Sequence, residues 1–154
     1  MISTGNSKYR HTENDIWFSR VDVLRGRRVN REMFFITKEF TFDAAHNLTM
    51  YHGKCEKLHG HTYKLQVTVA GEKQEEDMVI DFLKMKEIVR DEVLSVLDHS
   101  YINDVLSQPT AENIAEWIFN KLSGKIRGNS FELYEVALWE TPTSFVRYRE
   151  RDGW

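Results

Sequence analysis

The segment "CEKLHGH" (55–61) sets the one cysteine of the chain four residues ahead of two histidines that flank a single glycine. Imidazole nitrogens and thiolate sulfur are preferred zinc donors, and a thiolate is also a nucleophile or a base. On a strand, residues two apart point to the same side, with Cα atoms roughly 6–7 Å apart. His59 and His61 can therefore reach one ion. A histidine in a strand is ordinarily a surface or hydrogen-bonded residue, so the pair alone is a weak signal. His46 strengthens it, because it ends the segment "FFITKEFTFDAAH" (34–46) in phase with Phe34, Ile36, Phe40, Phe42 and Ala44. If the two segments pair as antiparallel neighbours, His46, His59 and His61 converge at one end of one face. Three imidazoles with a free fourth position make a catalytic zinc site, whereas Cys55 as fourth ligand would close it into a structural one. Lys54, Lys57, a bound zinc ion or a nearby histidine would favour a free thiolate. Spacing leaves these two readings open. His11 and His52 share no such alignment and are read as non-ligands.

The elements that must carry these residues follow from hydrophobic periodicity. Residues 34–46 alternate with period two, interrupted on the apolar face only by Lys38, and "HGHTYKLQVTVAG" (59–71) alternates with Tyr63, Leu65, Val67 and Val69 on one face. Gly60 faces away from the histidines and would let the backbone pass close to a neighbour. The connection 47–57, which carries Cys55, is long for a hairpin, and such loops often hold functional groups. From Phe82 the period becomes helical, with Phe82, Met85, Ile88, Val89, Val93, Val96 and Leu97 on one face and Asp81 as N-cap. "QPTAENIAEWIFNKLSG" (108–124) reads as a second helix capped by Thr110 and ended by Gly124. "SFELYEVALWE" (130–140) and "TSFVRYRE" (143–150) are the last strands. The order β-β-α-α-β-β predicts an α+β domain, a four-stranded antiparallel sheet with two helices on one face. Its two open edges must be covered or paired, which points to a homo-oligomer.

Composition bounds the function. A chain of 154 residues with net charge −3 gives no reason to expect nucleic acid as a partner. A single cysteine makes no internal disulfide, no apolar run spans a bilayer, and no secretory signal core is seen, so a cytoplasmic protein is expected. Residues 1–32 are net +3 and the remainder −6, dividing the chain into a basic N-terminal extension (1–32) and a patterned domain (33–154). Trp17, Val21 and Leu24 fall at helical spacing within the extension.

The motifs "FTFDAAHNL", "CEKLHGHTY", "VIDF", "LDHSYIND", "PTAEN" and "ALWETP" occur in the order found in the 6-pyruvoyl-tetrahydropterin synthase family, which includes 6-carboxy-tetrahydropterin synthases. The chain resembles that family over about residues 34–150. The resemblance implies a tunnelling fold whose subunit sheets join into a barrel. It also implies trimers stacked into hexamers, with active sites between subunits. It implies zinc bound by His46, His59 and His61, with Cys55 as a catalytic thiol beside the metal. Asp98 and His99 match a proton-relaying pair, Glu140 matches the carboxylate that anchors the pterin ring, and Thr110 matches a second pterin contact. The three residues between Cys55 and "HGH" resemble the carboxy branch of queuosine synthesis rather than the animal pyruvoyl enzymes. The implied reaction converts 7,8-dihydroneopterin triphosphate to 6-carboxy-tetrahydropterin, acetaldehyde and triphosphate.

Overall fold

The computed structural model describes residues 32–51 and 53–150. Residues 1–31 of the basic extension, with Trp17, Val21, Leu24 and His11, and His52 lie outside the described residues. The patterned region forms strands β1 (Phe34–His46) and β2 (His59–Gly71), helices α1 (Phe82–Val89) and α2 (Ser95–Leu97), strand β3 (Ser100–Tyr101), helix α3 (Ala111–Ser123) and strands β4 (Phe131–Thr141) and β5 (Ser144–Tyr148). The sheet order is β3-β1-β2-β4-β5. The four long strands are antiparallel as expected. The two-residue β3, which pairs parallel to β1 through Ala44↔Ser100 and Ala45↔Tyr101, is an addition. Two residues are too short a run for any periodicity to reveal.

One sheet face packs on the helices. Phe42, Tyr63, Leu65, Val67 and Val69 meet Met85, Val93, Ile114 and Ile118 in one core. Lys38, the break in the apolar face of β1, lays its ammonium 5.4 Å from the Phe82 ring centroid, so its stem covers the core while its charge reaches solvent. The other face is polar, with Lys64 paired to Glu39 at 2.9 Å and the Thr37 and Thr68 hydroxyls 2.8 Å apart. At Gly71 an added Cβ would fall 2.6 Å from the Ser130 carbonyl, so the strands approach there too closely for a side chain. Gly60 differs from expectation: its nearest contact would be the Ala44 carbonyl at 3.4 Å, an ordinary separation.

The first helical segment is not one uniform helix. Asp81 caps it as expected, its carboxylate accepting from the Leu83 N–H at 2.7 Å. Between α1 and α2, residues Arg90–Leu94 form a π-turn. The buried residues Met85, Val89, Val93 and Leu97 recur every four positions, a spacing that drifts about 40° per repeat on a 3.6-residue helix. A wider π-turn absorbs this drift. The phase shift leaves Val96, which follows the turn, 39% exposed, and Phe82, the first residue of α1, is 50% exposed, so two expected core residues lie outside the core. Thr110 caps α3, its hydroxyl accepting from the Asn113 N–H at 3.2 Å.

Candidate active site

The β1–β2 register pairs His46 with His59 and Ala44 with His61, which brings the three histidines together at one end of the helix-covered face. One ring nitrogen from each lies within 4.8 Å of the others. Backbone carbonyls fix the tautomers. His46 Nδ1–H donates to Pro109 O at 2.8 Å, and His59 Nδ1–H donates to Lys57 O at 2.7 Å. With the protons on Nδ1, both Nε2 atoms carry lone pairs, and they face each other at 3.1 Å. Two lone pairs at that distance repel unless a cation lies between them. Tetrahedral zinc holds imidazole nitrogens about 3.3 Å apart. His61 Nε2 is buried without a hydrogen-bond partner, as a ligand atom must be. Burial pushes the His61 ring below its usual range, against the opposing charge of Glu140, and so favours the neutral form that binds metal. The donor set, with the carbonyls that orient it, thus fits a metal ion.

Glu140, near the end of β4, places Oε1 3.4 Å from His46 Nε2 and 3.9 Å from His61 Nε2. Its carboxylate borders the histidine triplet and is partly open to solvent. Thr110 follows Pro109, whose carbonyl orients His46. The cap that sequence periodicity identified is therefore next in the chain to the residue that orients His46.

Cys55 sits in a one-turn 3₁₀ helix, Lys54–Glu56, within the long connection. Its carbonyl accepts from Leu48 N–H at 2.9 Å. The connection is tied to the chain after β3: Asn103 accepts from Asn47 N–H at 3.0 Å and donates to Asn47 O at 2.9 Å. Gln108 accepts from the Thr49 hydroxyl at 3.0 Å. Among the described residues the histidine triplet is the group placed to hold a metal ion, and Cys55 is not a member of it. The thiol is half-buried and free.

Asp98 and His99 form a pair, with His99 Nδ1 2.9 Å from Asp98 Oδ1. Asp98 Oδ1 also accepts from Asp43 N–H at 3.0 Å, and His99 N–H donates to Asp43 O at 2.6 Å. These backbone bonds hold His99 at φ 57°, the left-handed region that costs a side-chain-bearing residue about 1–2 kcal/mol. The Thr62 hydroxyl donates to the Asp43 carboxylate at 2.5 Å. Asp43, Ala45, Gly60, Thr62, His99 and Ser100, with Ala44 and His61, line a shallow depression, and His99 is 78% exposed. Asp43, Ala45, Gly60 and Thr62 alternate with the three histidines along their strands, so the depression that His99 borders opens on the other face of the sheet. Sequence reasoning missed Asp43 because its main chain, not its side chain, does the positioning. The Pro109 and Lys57 carbonyls were missed for the same reason.

Residues 35–151 match the protein family described as 6-pyruvoyl tetrahydropterin synthase. A Haemophilus influenzae protein named 6-carboxy-5,6,7,8-tetrahydropterin synthase is 40% identical over 144 residues, covering 77% of this chain and 100% of the relative. A Pyrococcus furiosus protein named dihydroneopterin monophosphate aldolase is 42% identical over 100 residues, covering 65% of this chain and 83% of the relative. The structure of Caenorhabditis elegans 6-pyruvoyl tetrahydropterin synthase superposes with a TM-score of 0.70 at 27% identity, covering 79% of this chain and 98% of that one.

Proposed function

The chain belongs to the 6-pyruvoyl tetrahydropterin synthase family and is a lyase, and from that premise we propose that its substrate is 7,8-dihydroneopterin triphosphate. Water is consumed, and the products are 6-carboxy-5,6,7,8-tetrahydropterin, acetaldehyde and triphosphate. The observation that carries this reading is the set of imidazole nitrogens turned into one space by carbonyl acceptors, with the free thiol four residues ahead of His59.

His46, His59 and His61 would hold zinc through Nε2. When bound, the ion supplies Lewis acidity toward the side-chain oxygens of the substrate. Glu140 accepts two N–H bonds from the amidine edge of the pterin, and Thr110 is a second contact to the ring. Cys55, as its thiolate, removes a proton from the side chain. His99, oriented by Asp98 through Nδ1, carries protons with its exposed Nε2. No redox cofactor is required, because the oxidation change is internal to the substrate.

His99, paired with Asp98, borders the depression on the sheet face opposite the histidine triplet. A homohexamer of two stacked trimers, with sites between subunits, lets the pair of one copy serve the triplet of another. Open sheet edges support such joining. No helix among the described residues is long and apolar enough to cross a membrane. With a single cysteine, this supports a cytoplasmic site of action.

Mass spectrometry of the product formed by the zinc-loaded protein from 7,8-dihydroneopterin triphosphate tests the reading. The carboxy product with acetaldehyde is expected. A 6-pyruvoyl product would keep the residues and move the chain to triphosphate elimination alone. No turnover by folded, metal-loaded protein would overturn the proposal in favour of a zinc-stabilised scaffold.

A further inference from the structure

Among the described residues, two buried side-chain polar atoms have no hydrogen-bond partner: His61 Nε2 and the Tyr63 hydroxyl. The first is accounted for, since a metal ligand keeps its lone pair free. The second is not. Tyr63 is 0% exposed, stacks on Phe42 with ring centroids 4.9 Å apart and lies edge-on to His61 at 5.5 Å. A phenylalanine would make the same contacts without stranding a donor, and a stranded buried donor is destabilising. The hydroxyl contributes nothing to the fold that the bare ring would not.

Glu140 borders the same imidazoles as Tyr63. Its Oε1 lies 3.4 Å from His46 Nε2 and 3.9 Å from His61 Nε2, and the Tyr63 ring centroid lies 6.1 Å from that of His46 and 5.5 Å from that of His61. β2 and β4 pair Lys64 with Trp139, the residues next to Tyr63 and Glu140. Glu140 has the converse need. The atom facing its Oε1 at 3.4 Å is His46 Nε2, and the proton of that ring is already committed to Pro109 O. A carboxylate short of a donor and a phenol without an acceptor thus border the same two imidazoles.

We infer that Tyr63 is a positioning residue whose O–H donates to the Glu140 carboxylate when the pterin site is occupied. A carboxylate offers about four lone-pair sites; one taken by Tyr63 fixes the plane in which the others meet the amidine edge of the ring. The inference rests on Glu140 as the pterin anchor.

Tyr63→Phe in the full, zinc-loaded chain is the test, with neopterin as the probe and its fluorescence as the readout. The dissociation constant should rise about tenfold, the loss of one charge-assisted hydrogen bond. Zinc content should stay near one per chain and the melting temperature should not fall. KM should rise while kcat holds. In a Glu140→Ala background the same substitution should change affinity less than about twofold, because the acceptor is gone. Wild-type affinity in Tyr63→Phe, or equal losses in both backgrounds, would overturn the inference while leaving Glu140 as anchor. Equal neopterin affinity in wild type and Glu140→Ala would remove the anchor itself, and the inference with it.

Discussion

The two faces of the sheet near His46 hold their chemical groups by different means. On the helix-covered face, strand phase aims the three imidazoles, carbonyls fix the tautomers of His46 and His59, and His46 is only 1% exposed. Beside the depression on the opposite face, Asp98 and His99 project from a turn and are held by the main chain of Asp43. The triplet, with His46 buried and His59 and His61 partly so, is suited to fixing an ion. The exposed pair is oriented yet open, as a group that passes protons must be. The buried set is built into the core, so changes there should disturb metal and stability together. Changes to the exposed pair should disturb turnover alone.

The largest effects test that division. Cys55→Ala should abolish turnover while zinc stays near one per chain by elemental analysis; loss of zinc would make Cys55 a ligand. His61→Ala should lose metal and activity together, and full metal retention would break the ligand set. Asp98→Asn keeps the acceptor for Asp43 N–H but removes the charge beside His99. Its turnover should fall about 10²–10⁴-fold, the range for a positioned acid–base group, with zinc content unchanged. A smaller effect concerns the backbone. His99→Gly should be more stable than His99→Ala by about 1 kcal/mol in chemical denaturation, because glycine adopts φ 57° without strain, and both variants should be inactive.

The smallest effect is a pH dependence of the metal-stripped protein. His61 titrates below its ordinary value in the fold, chiefly through burial. Between the folded and unfolded values the unfolded chain binds more protons, so stability rises with pH there. Thermal melts of the stripped protein should weaken as pH falls through about 6.5, and zinc should suppress the trend.

Much of the buried region was legible in the sequence. Period two along β1 and β2 determines which face each histidine takes, and antiparallel pairing does the rest. Asp81 and Thr110 were readable as caps because their side chains do the capping. The exposed pair was legible only through family resemblance, since "DH" after a helix is an ordinary turn and its anchors are peptide groups present at every residue. The π-turn was hidden because helical spacing alone places Phe82 and Val96 with the core. Tyr63 was legible as a core ring; its unpartnered hydroxyl is visible only once the atoms around it are placed.

The most direct test of the central claim, an open three-imidazole metal site beside a free thiol, is zinc K-edge X-ray absorption of the purified, zinc-loaded protein. Such a site should show only nitrogen and oxygen neighbours at about 2.0–2.1 Å, the same in wild type and Cys55→Ala. A sulfur scatterer at about 2.3 Å that disappears in Cys55→Ala would contradict it, making the site closed and Cys55 structural.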